Sequence, residues 1–593
     1  MRFKSASVDG IRVFAVSGTN TISFALAATE NAKRGLLGFV VERTDPTENQ
    51  HFVMPGFKVF RSIIPHPDEK TQVSTFDHPI QSFVWDDFTA KPDREYEYAF
   101  RPLRGKPQNL DRRAKPIPIK VRTEPSFSKN AHDIFFNRGV ASSQAYRRRF
   151  GNKKPDALPK AKQAEALEWL SRELDEAILK FIDAAGKADT LLCCFYEFRY
   201  RPVADAIKAA IRRGVNVKLI VDAKKNKPKD SKGHLLPPFP RTENLKMIGD
   251  ARIPRANVIE RDANPSVIQH NKFMVRLKGQ QARPVEVWTG STNISLGGIT
   301  GQTNVGHWVR NESVARQFKA YWDLLATNPG ATKKATARAQ NAAYRTKVAN
   351  LAGVPANIVS VAGGVTPVFS PRAGLVPLNL YVDMLDTAET CGAVTLAFGV
   401  NKLFKKQLQD NKPESCLVFL LLEKKDKPNK RSKDPFVAIN ASNNVYKAWG
   451  SFIKEPVYQW AKETNARILG LNKHVSYIHS KFLLMDPMGD DPIVVTGSAN
   501  FSEASTNDND ENMLIIRGDR RVADIYFTEF NRLFNHYYFR AVYEDTAGRN
   551  AKDRDASLFL DETGKEWQKK YTRGKLRAKR VGLYTGMKGA ITL

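Results

Sequence analysis

The sequence predicts an α/β protein made of two pseudo-symmetric αβα halves, preceded by an all-β sandwich. Three observations predict it. A His-x-Lys triplet recurs in two apolar strand-like runs, at His270/Lys272 and His479/Lys481, each followed at near-equal distance by Gly-Ser-x-Asn. The elements before each copy recur too: an apolar strand, a helix and a second apolar strand. Ahead of both lies a stretch of short alternating segments broken by turn residues. The division that follows is 1–125 for the sandwich, 126–330 and 371–545 for the halves, 331–370 for a linker and 546–593 for a basic tail.

At 593 residues with 42% apolar content, the chain is long enough to bury several cores. No apolar run is long enough to span a bilayer, and Met1 to Gly10 lacks the apolar centre of a secretory signal. Cys193, Cys194, Cys391 and Cys416 all sit in apolar runs, without a Cys-x-x-Cys or Cys/His zinc spacing. They read as small buried hydrophobes in a reducing compartment, so a cytoplasmic setting is expected.

Within 1–125, the segments Thr21 to Leu26, Gly38 to Arg43, Phe83 to Trp85 and Tyr96 to Phe100 alternate as strands do. Asp45-Pro46, Met54-Pro-Gly56 and Lys91-Pro-Asp93 mark turns between them. Short strands at that spacing predict a sandwich. It carries no chemically active cluster, so its expected role is to position the substrate or a protein partner. In the first half, Ala161 to Ala185 has the pattern of an amphipathic helix and Thr190 to Tyr196 that of a buried strand. Val203 to Arg213 reads as a helix stopped at Gly214, and Val215 to Asp222 as the next strand. That is a βαβ unit with parallel strands. The second half repeats it with Ala393 to Phe398, Lys402 to Asp410 and Cys416 to Leu422. A lysine-rich loop follows in each half, Lys224 to Lys232 and Lys424 to Lys433, on the side where such sheets place ligands. Asn328 to Arg345 has helix-forming content and predicts a packed linker.

The chemistry is carried by the repeated motif. His270 and Lys272 are two apart, as are His479 and Lys481, so on a strand each pair projects from one face. Ser291 with Asn293, and Ser498 with Asn500, return on the following strand. An imidazole, an ammonium, a hydroxyl and an amide together make a cradle for a phosphate. One such triplet can arise by chance in a chain this long. Two, each followed by Gly-Ser-x-Asn, form a strong signal.

These residues resemble the phospholipase D superfamily, whose signature is H-x-K-x4-D followed by G-[GS]-x-N, usually in two copies. The second copy fits fully, with Asp486 in the aspartate position, whereas Leu277 stands there in the first. The resemblance runs from Asn130 to Phe539 and implies cleavage of a phosphodiester through a covalent phosphohistidine, with no cofactor and no metal. One histidine attacks, and the other protonates the leaving oxygen and later activates water. Lys272 and Lys481 supply fixed charge and Asn293 and Asn500 donate to the non-bridging oxygens, with Ser291 and Ser498 in support. Glu511 lies eleven residues after Asn500, and Asn304 eleven after Asn293. In the superfamily this position orients a catalytic histidine, with the support crossing between halves. Carried over, Glu511 holds the Nδ1 proton of His270 and Asn304 contacts His479, which favours His270 as the nucleophile. Separately, Phe88 to Tyr98 resembles the late-strand region of fibronectin type III domains, where a corner tyrosine ties down a turn.

Charge points to the partner. Lys and Arg number 93 against 62 Asp and Glu, a net charge of +31, which implies a polyanion. Nucleic acid, DNA or RNA, is expected first, because the lysine loops flank the motif. A membrane lipid is the alternative, which would make the chain a phospholipase or phosphatidyltransferase. In the tail, Lys565, Lys569, Lys570, Arg573, Lys575, Arg577, Lys579 and Arg580 interleave with Trp567 and Tyr571, a pattern suited to a phosphate backbone with stacked bases. A metal site for phosphate chemistry needs clustered carboxylates, which Asp486 alone does not make.

Overall fold

The computed structural model describes residues 1–593 except 57, 68–70, 72, 140–143, 152, 154, 228, 230–232, 265, 266, 332–335, 410–415, 429–435, 451–476 and 547–558. Parts of both lysine loops, of the 331–370 linker and of the tail therefore lie outside the described residues.

Nine strands come first: β1 (Arg2–Lys4), β2 (Ile11–Ser17), β3 (Ile22–Ala28), β4 (Gly38–Asp45), β5 (Gln50–Val53), β6 (Val84–Asp87), β7 (Glu95–Lys106), β8 (Asn109–Asp111) and β9 (Ile117–Arg122). One antiparallel sheet has the order β1-β2-β3-β6, and the other β5-β4-β7-β8 with β9 also on β7. Val13 and Phe24 from the first sheet meet Phe39, Val41, Tyr98 and Phe100 from the second in one core, as the alternation of inward apolar residues requires. The Tyr96 hydroxyl accepts the Lys91 N–H at 2.9 Å, tying the turn that precedes β7.

One expectation is corrected here. The aromatic residues of the C-terminal segment are not free to stack on bases. Trp567 and Tyr571 are buried in the sandwich core, with both rings 4.9 Å from Phe83, and the Tyr571 hydroxyl accepts the Phe83 N–H. Tyr584 then packs near Phe527, and Ile591 pairs with Phe3. Large rings four residues apart on one short helical stretch lose more by exposure than the surrounding lysines gain by leaving them free. Lys569, Arg573, Lys575 and Arg577 remain exposed. The sandwich is bound into the body. Arg2 bridges to Asp524 at 2.8 Å, Thr21 donates to Glu529 and Asn535 to Asp86, all along the helix Arg520–Thr546.

The first half contains β10 (His132–Phe136), β11 (Thr190–Phe195), β12 (Asn216–Asp222), β13 (Val258–Arg261), β14 (Lys272–Lys278), β15 (Arg283–Gly290) and β16 (Val305–Val309), ordered β10-β16-β15-β14-β11-β12-β13. The second contains β17 (Gly364–Ser370), β18 (Cys391–Leu396), β19 (Leu417–Leu422), β20 (Val445–Trp449), β21 (Phe482–Met485), β22 (Ile493–Gly497) and β23 (Glu511–Arg517), ordered β17-β23-β22-β21-β18-β19-β20. The two orders agree strand for strand. Central strands such as Leu191 to Phe195 and Leu417 to Leu422 are buried throughout, which is why they read as continuous apolar runs. Between β11 and β12, the helix Arg201–Arg212 opens on Pro202 and buries Val203, Ala204, Ile207 and Ala210 on one face. Gly214, at φ +88°, ends it as predicted.

Three boundaries differ from the sequence reading. Residues 161–185 form two helices, Lys160–Ser171 and Leu174–Asp183, because Arg172 and Glu173 adopt left-handed backbone angles. Arg172 is drawn inward to Glu529 at 2.7 Å and to the Phe136 carbonyl. The linker supplies the helix Ala337–Leu351, but its last residues are β17, an edge strand of the second sheet. The helix predicted over Lys402 to Asp410 ends at Leu408. Phe273 and Phe369 share a single core with Phe482 and Phe530, so the halves are packed into one body.

Candidate active site

The two triplets lie side by side at the entry of β14 and β21. The chain segments that carry them are zipped to the opposite half. His270 N–H donates to the Asp510 carbonyl, Asp510 N–H to that of Ile268, and Thr303 N–H to that of Tyr477, all within 3.0 Å. A buried acid at the end of the third strand of each half fixes the same segments from behind. Asp222 accepts the Gln269 N–H at 2.9 Å, and Glu423 accepts the N–H groups of Tyr477 and Ile478 at 3.0 and 2.7 Å. These two acids were not among the predicted site residues. Their signal was an acid closing each apolar strand at the same place of the repeat.

The histidines are held across the interface. Glu511, the first residue of β23, lies 2.9 Å from Nδ1 of His270, and Asn304, just before β16, presents its Oδ1 2.9 Å from Nδ1 of His479. The crossing implied by the resemblance is therefore present in both directions. Ser498 and Ser291 donate to these two orienting groups at 2.8 and 2.9 Å. Ser505 adds a third hydrogen bond to Glu511, while Asn304 sends its own amide N–H to the Gly298 carbonyl. That last bond fixes which end of the amide is oxygen, so the His479 Nδ1 carries the hydrogen and its Nε2 the lone pair. A carboxylate at Glu511 imposes the same tautomer on His270.

The other four motif residues complete the cluster. Lys272 and Lys481 each turn back to the carbonyl of the histidine two residues earlier. The Asn293 amide nitrogen donates one N–H to Glu197 at 3.0 Å. In both Asn293 and Asn500 the side-chain oxygen is buried without a hydrogen-bond partner. All eight predicted catalytic residues and both serines are buried, apart from Asn500, which is partly exposed. Around them, Tyr196 sets its ring edge-on to His270 at 5.0 Å and also faces Lys272.

Burial and the concentration of positive charge set the protonation states. Burial, then Lys272 and Lys481, pushes His270 well below the ordinary imidazole range. Burial with the same lysines does so for His479. Lys272 is lowered to about 8, mainly by burial, and Lys481 further, by burial and by Lys272. Glu511 is pushed up to about 7 by burial, against the pull of Lys272 and its serine hydrogen bonds. Asp222 rises to about 7 for the same first reason. Two desolvated lysines facing each other form a site that an anion stabilises.

Asp486 explains why its counterpart could be lost. Its carboxylate caps the start of β18 through the N–H groups of Glu389, Thr390 and Cys391. In the first half Asp189, on the other strand, caps Gly186 and Gly279 instead. The aspartate is a strand cap. Among the described residues, no group of three or more His, Cys, Asp or Glu side chains is placed to hold a metal ion, and no helix is long and apolar enough to cross a membrane.

Comparison with known proteins agrees with this arrangement. The family described as "Cardiolipin synthase, PLD-like domain" matches residues 178–325 and 383–534, one match in each half. The chain belongs to this phospholipase D-like family and so to the enzymes that act on phosphodiester bonds. Among solved structures, it is similar to phosphatidylserine synthase from Haemophilus influenzae Rd KW20, with 11% identity and a TM-score of 0.39 over 66% of this chain and 94% of that one. A polyphosphate kinase from Porphyromonas gingivalis matches with 11% identity and a TM-score of 0.35 over 59% of this chain, which spans 46% of the kinase. A mutant yeast tyrosyl-DNA phosphodiesterase matches with 10% identity and a TM-score of 0.28 over 58% of this chain and 87% of that one. No curated protein matches the sequence.

Proposed function

We propose that the chain is a metal-independent nuclease that cleaves DNA or RNA through a phosphohistidine on His270. The observation that carries the reaction is the crossed support, a carboxylate behind one histidine and an amide behind the other. Nε2 of His270 attacks phosphorus, and the bond to the leaving oxygen breaks. Glu511 stabilises the positive charge that the phosphorylated ring would otherwise hold alone. The phosphodiester's own negative charge offsets Lys272 and Lys481, which lets His479 bind a proton and pass it to the leaving oxygen. His479, now neutral, takes a proton from water as that water attacks the phosphohistidine and frees His270. Lys272 and Lys481 neutralise the transition state throughout.

The choice of nucleic acid rests on charge. The net charge is +31, and Lys225, Lys227, Lys424, Lys425 and Lys427 are exposed just beyond Asp222 and Glu423, at the strand ends that carry the histidines. A second reading, hydrolysis or transfer on a membrane phospholipid, is favoured by the cardiolipin synthase description of the matching family. Purified protein incubated with plasmid, single-stranded DNA, RNA and phosphatidylcholine vesicles, all in EDTA, separates the two. Cleavage of a nucleic acid, with binding that falls by about 0.7–0.9 log units per log of salt for each phosphate contacted, is the expected result. Turnover of the vesicles alone would establish the second reading.

A further inference from the structure

The repeat places unlike side chains at like positions beside the phosphate cradle. Phe195 opposes Lys272, Leu396 occupies the matching place ahead of Lys481, and the next helices begin six residues on, at Arg201 and Lys402. Tyr196, Glu197 and Arg199 therefore correspond to Ala397, Phe398 and Val400. In the first half this wall is full. Tyr196 covers His270, and Glu197 joins the Asn293 amide to Arg199 at 3.0 and 2.7 Å. In the second half it is hollow. A cavity of about 140 Å³ opens there, bounded by Lys481, Asn500, Leu396, Ala397, Phe398 and Val400, and Phe398 is 68% exposed.

We propose that this cavity is a subsite for the nucleobase on the leaving side of the scissile phosphate, with Phe398 as its stacking platform. The proposal rests on the nuclease reading above. Three arguments carry it. The cavity shares Lys481 and Asn500 with the phosphate cradle, so its occupant is joined to the reacting phosphate. In-line attack from His270 sends the leaving group toward the half that carries His479. The wall formed by Leu396, Ala397, Phe398 and Val400 is apolar, and the carboxylate of the matching position is absent from it. An exposed ring on an apolar wall suits the face of a base, whichever base it is. Lys402 and Lys406, exposed on the adjoining helix, lie where the continuing backbone would pass. A cavity of this volume takes one planar ring, whereas the tails of a phospholipid would run beyond it.

The test uses the full-length protein and a single-stranded oligonucleotide with one native phosphodiester, its other linkages being methylphosphonates. The leaving nucleoside either bears its base or is abasic, and the ratio of the two KM values is the readout. For the wild type the abasic substrate should have a KM about 5- to 100-fold higher, the range of one stacked base. Phe398→Ala should bring the ratio close to one, and Phe398→Trp should preserve or raise it. A wild-type ratio near one overturns the proposal without needing any variant to fold. So does an unchanged ratio in a folded Phe398→Ala. Cleavage of the oligonucleotides with either of those ratios sinks the subsite alone. Turnover of phosphatidylcholine vesicles with no cleavage of either oligonucleotide sinks the nuclease reading and the subsite together.

Discussion

The two halves share a scaffold and differ at a few points that bear on the chemistry. Strand order, the acids Asp222 and Glu423, both His-x-Lys triplets and both Ser-x-Asn turns are common to them. The orienting group is Asn304 in one and Glu511 in the other, and the residue that supports it changes in step. A carboxylate can only accept, so Glu511 takes hydroxyl donors from Ser498 and Ser505. An amide brings its own donor, which Asn304 spends on the Gly298 carbonyl. A side chain at 298 is excluded as well, since a Cβ there would stand 2.4 Å from the Asn293 carbonyl oxygen. On the proposed mechanism, a symmetric fold divides two jobs between two like histidines by changing what stands behind each.

The comparison breaks most visibly at the histidines. His270→Ala should lower kcat by about 10⁴-fold or more on every substrate, because no other nucleophile replaces it. His479→Ala should lose as much on an alkyl leaving group, but on a p-nitrophenyl ester, whose oxygen leaves without a proton, the loss in the initial burst of p-nitrophenol should be far smaller, with slow release of the adduct after it. Equal losses on both esters would remove the division of roles.

The orienting groups come next. Glu511→Gln should cost about 10²- to 10⁴-fold in kcat, since a neutral amide no longer stabilises the positive charge on the His270 ring, and Asn304→Ala about tenfold. Steady-state rates on the p-nitrophenyl ester check the order, and a larger loss at Asn304 would reverse the assignment. The positioning acids should matter less, and about equally for kcat. Asp222→Ala and Glu423→Ala should each lower it by about 10²-fold through displacement of the neighbouring triplet. Stability should separate them. Glu423→Ala strands two buried N–H groups and Asp222→Ala one, at about 1–3 kcal/mol each, so thermal melting should show the larger drop for Glu423.

The smallest effect is on pH dependence. Burial holds the Glu511 carboxyl at about 7. Above that pH the carboxylate accepts the Nδ1 proton of His270 and leaves Nε2 free to attack. Below it the carboxyl loses its negative charge and gains an O–H that can donate to Nδ1, so the reactive tautomer is no longer enforced. The kcat/KM for the p-nitrophenyl ester should therefore rise with pH through about 7. A profile from Glu511→Gln that keeps this limb would assign it to another group.

Much of this was legible because it is written twice. The duplicated triplets and strand–helix–strand order located both halves, and the resemblance to the phospholipase D superfamily located Glu511 and Asn304 as the orienting pair. Residues acting through shape rather than through a repeated motif were not legible. Glu197 and Phe398 occupy one place in the repeat but share no chemistry, so only strand register relates them. Asp222 and Glu423 read as strand ends. Trp567 and Tyr571 misled because composition registers rings among lysines but not which side they face, and the rings face the sandwich core.

The central claim is that Glu511 makes His270 the nucleophile. Rapid acid quench of the wild-type protein with a ³²P-labelled p-nitrophenyl nucleotide ester, followed by peptide mapping under conditions that preserve phosphohistidine, tests it most directly. The account predicts label on the peptide that contains His270, and more of it in His479→Ala, where release is slowed. Label on the peptide that contains His479 would contradict it.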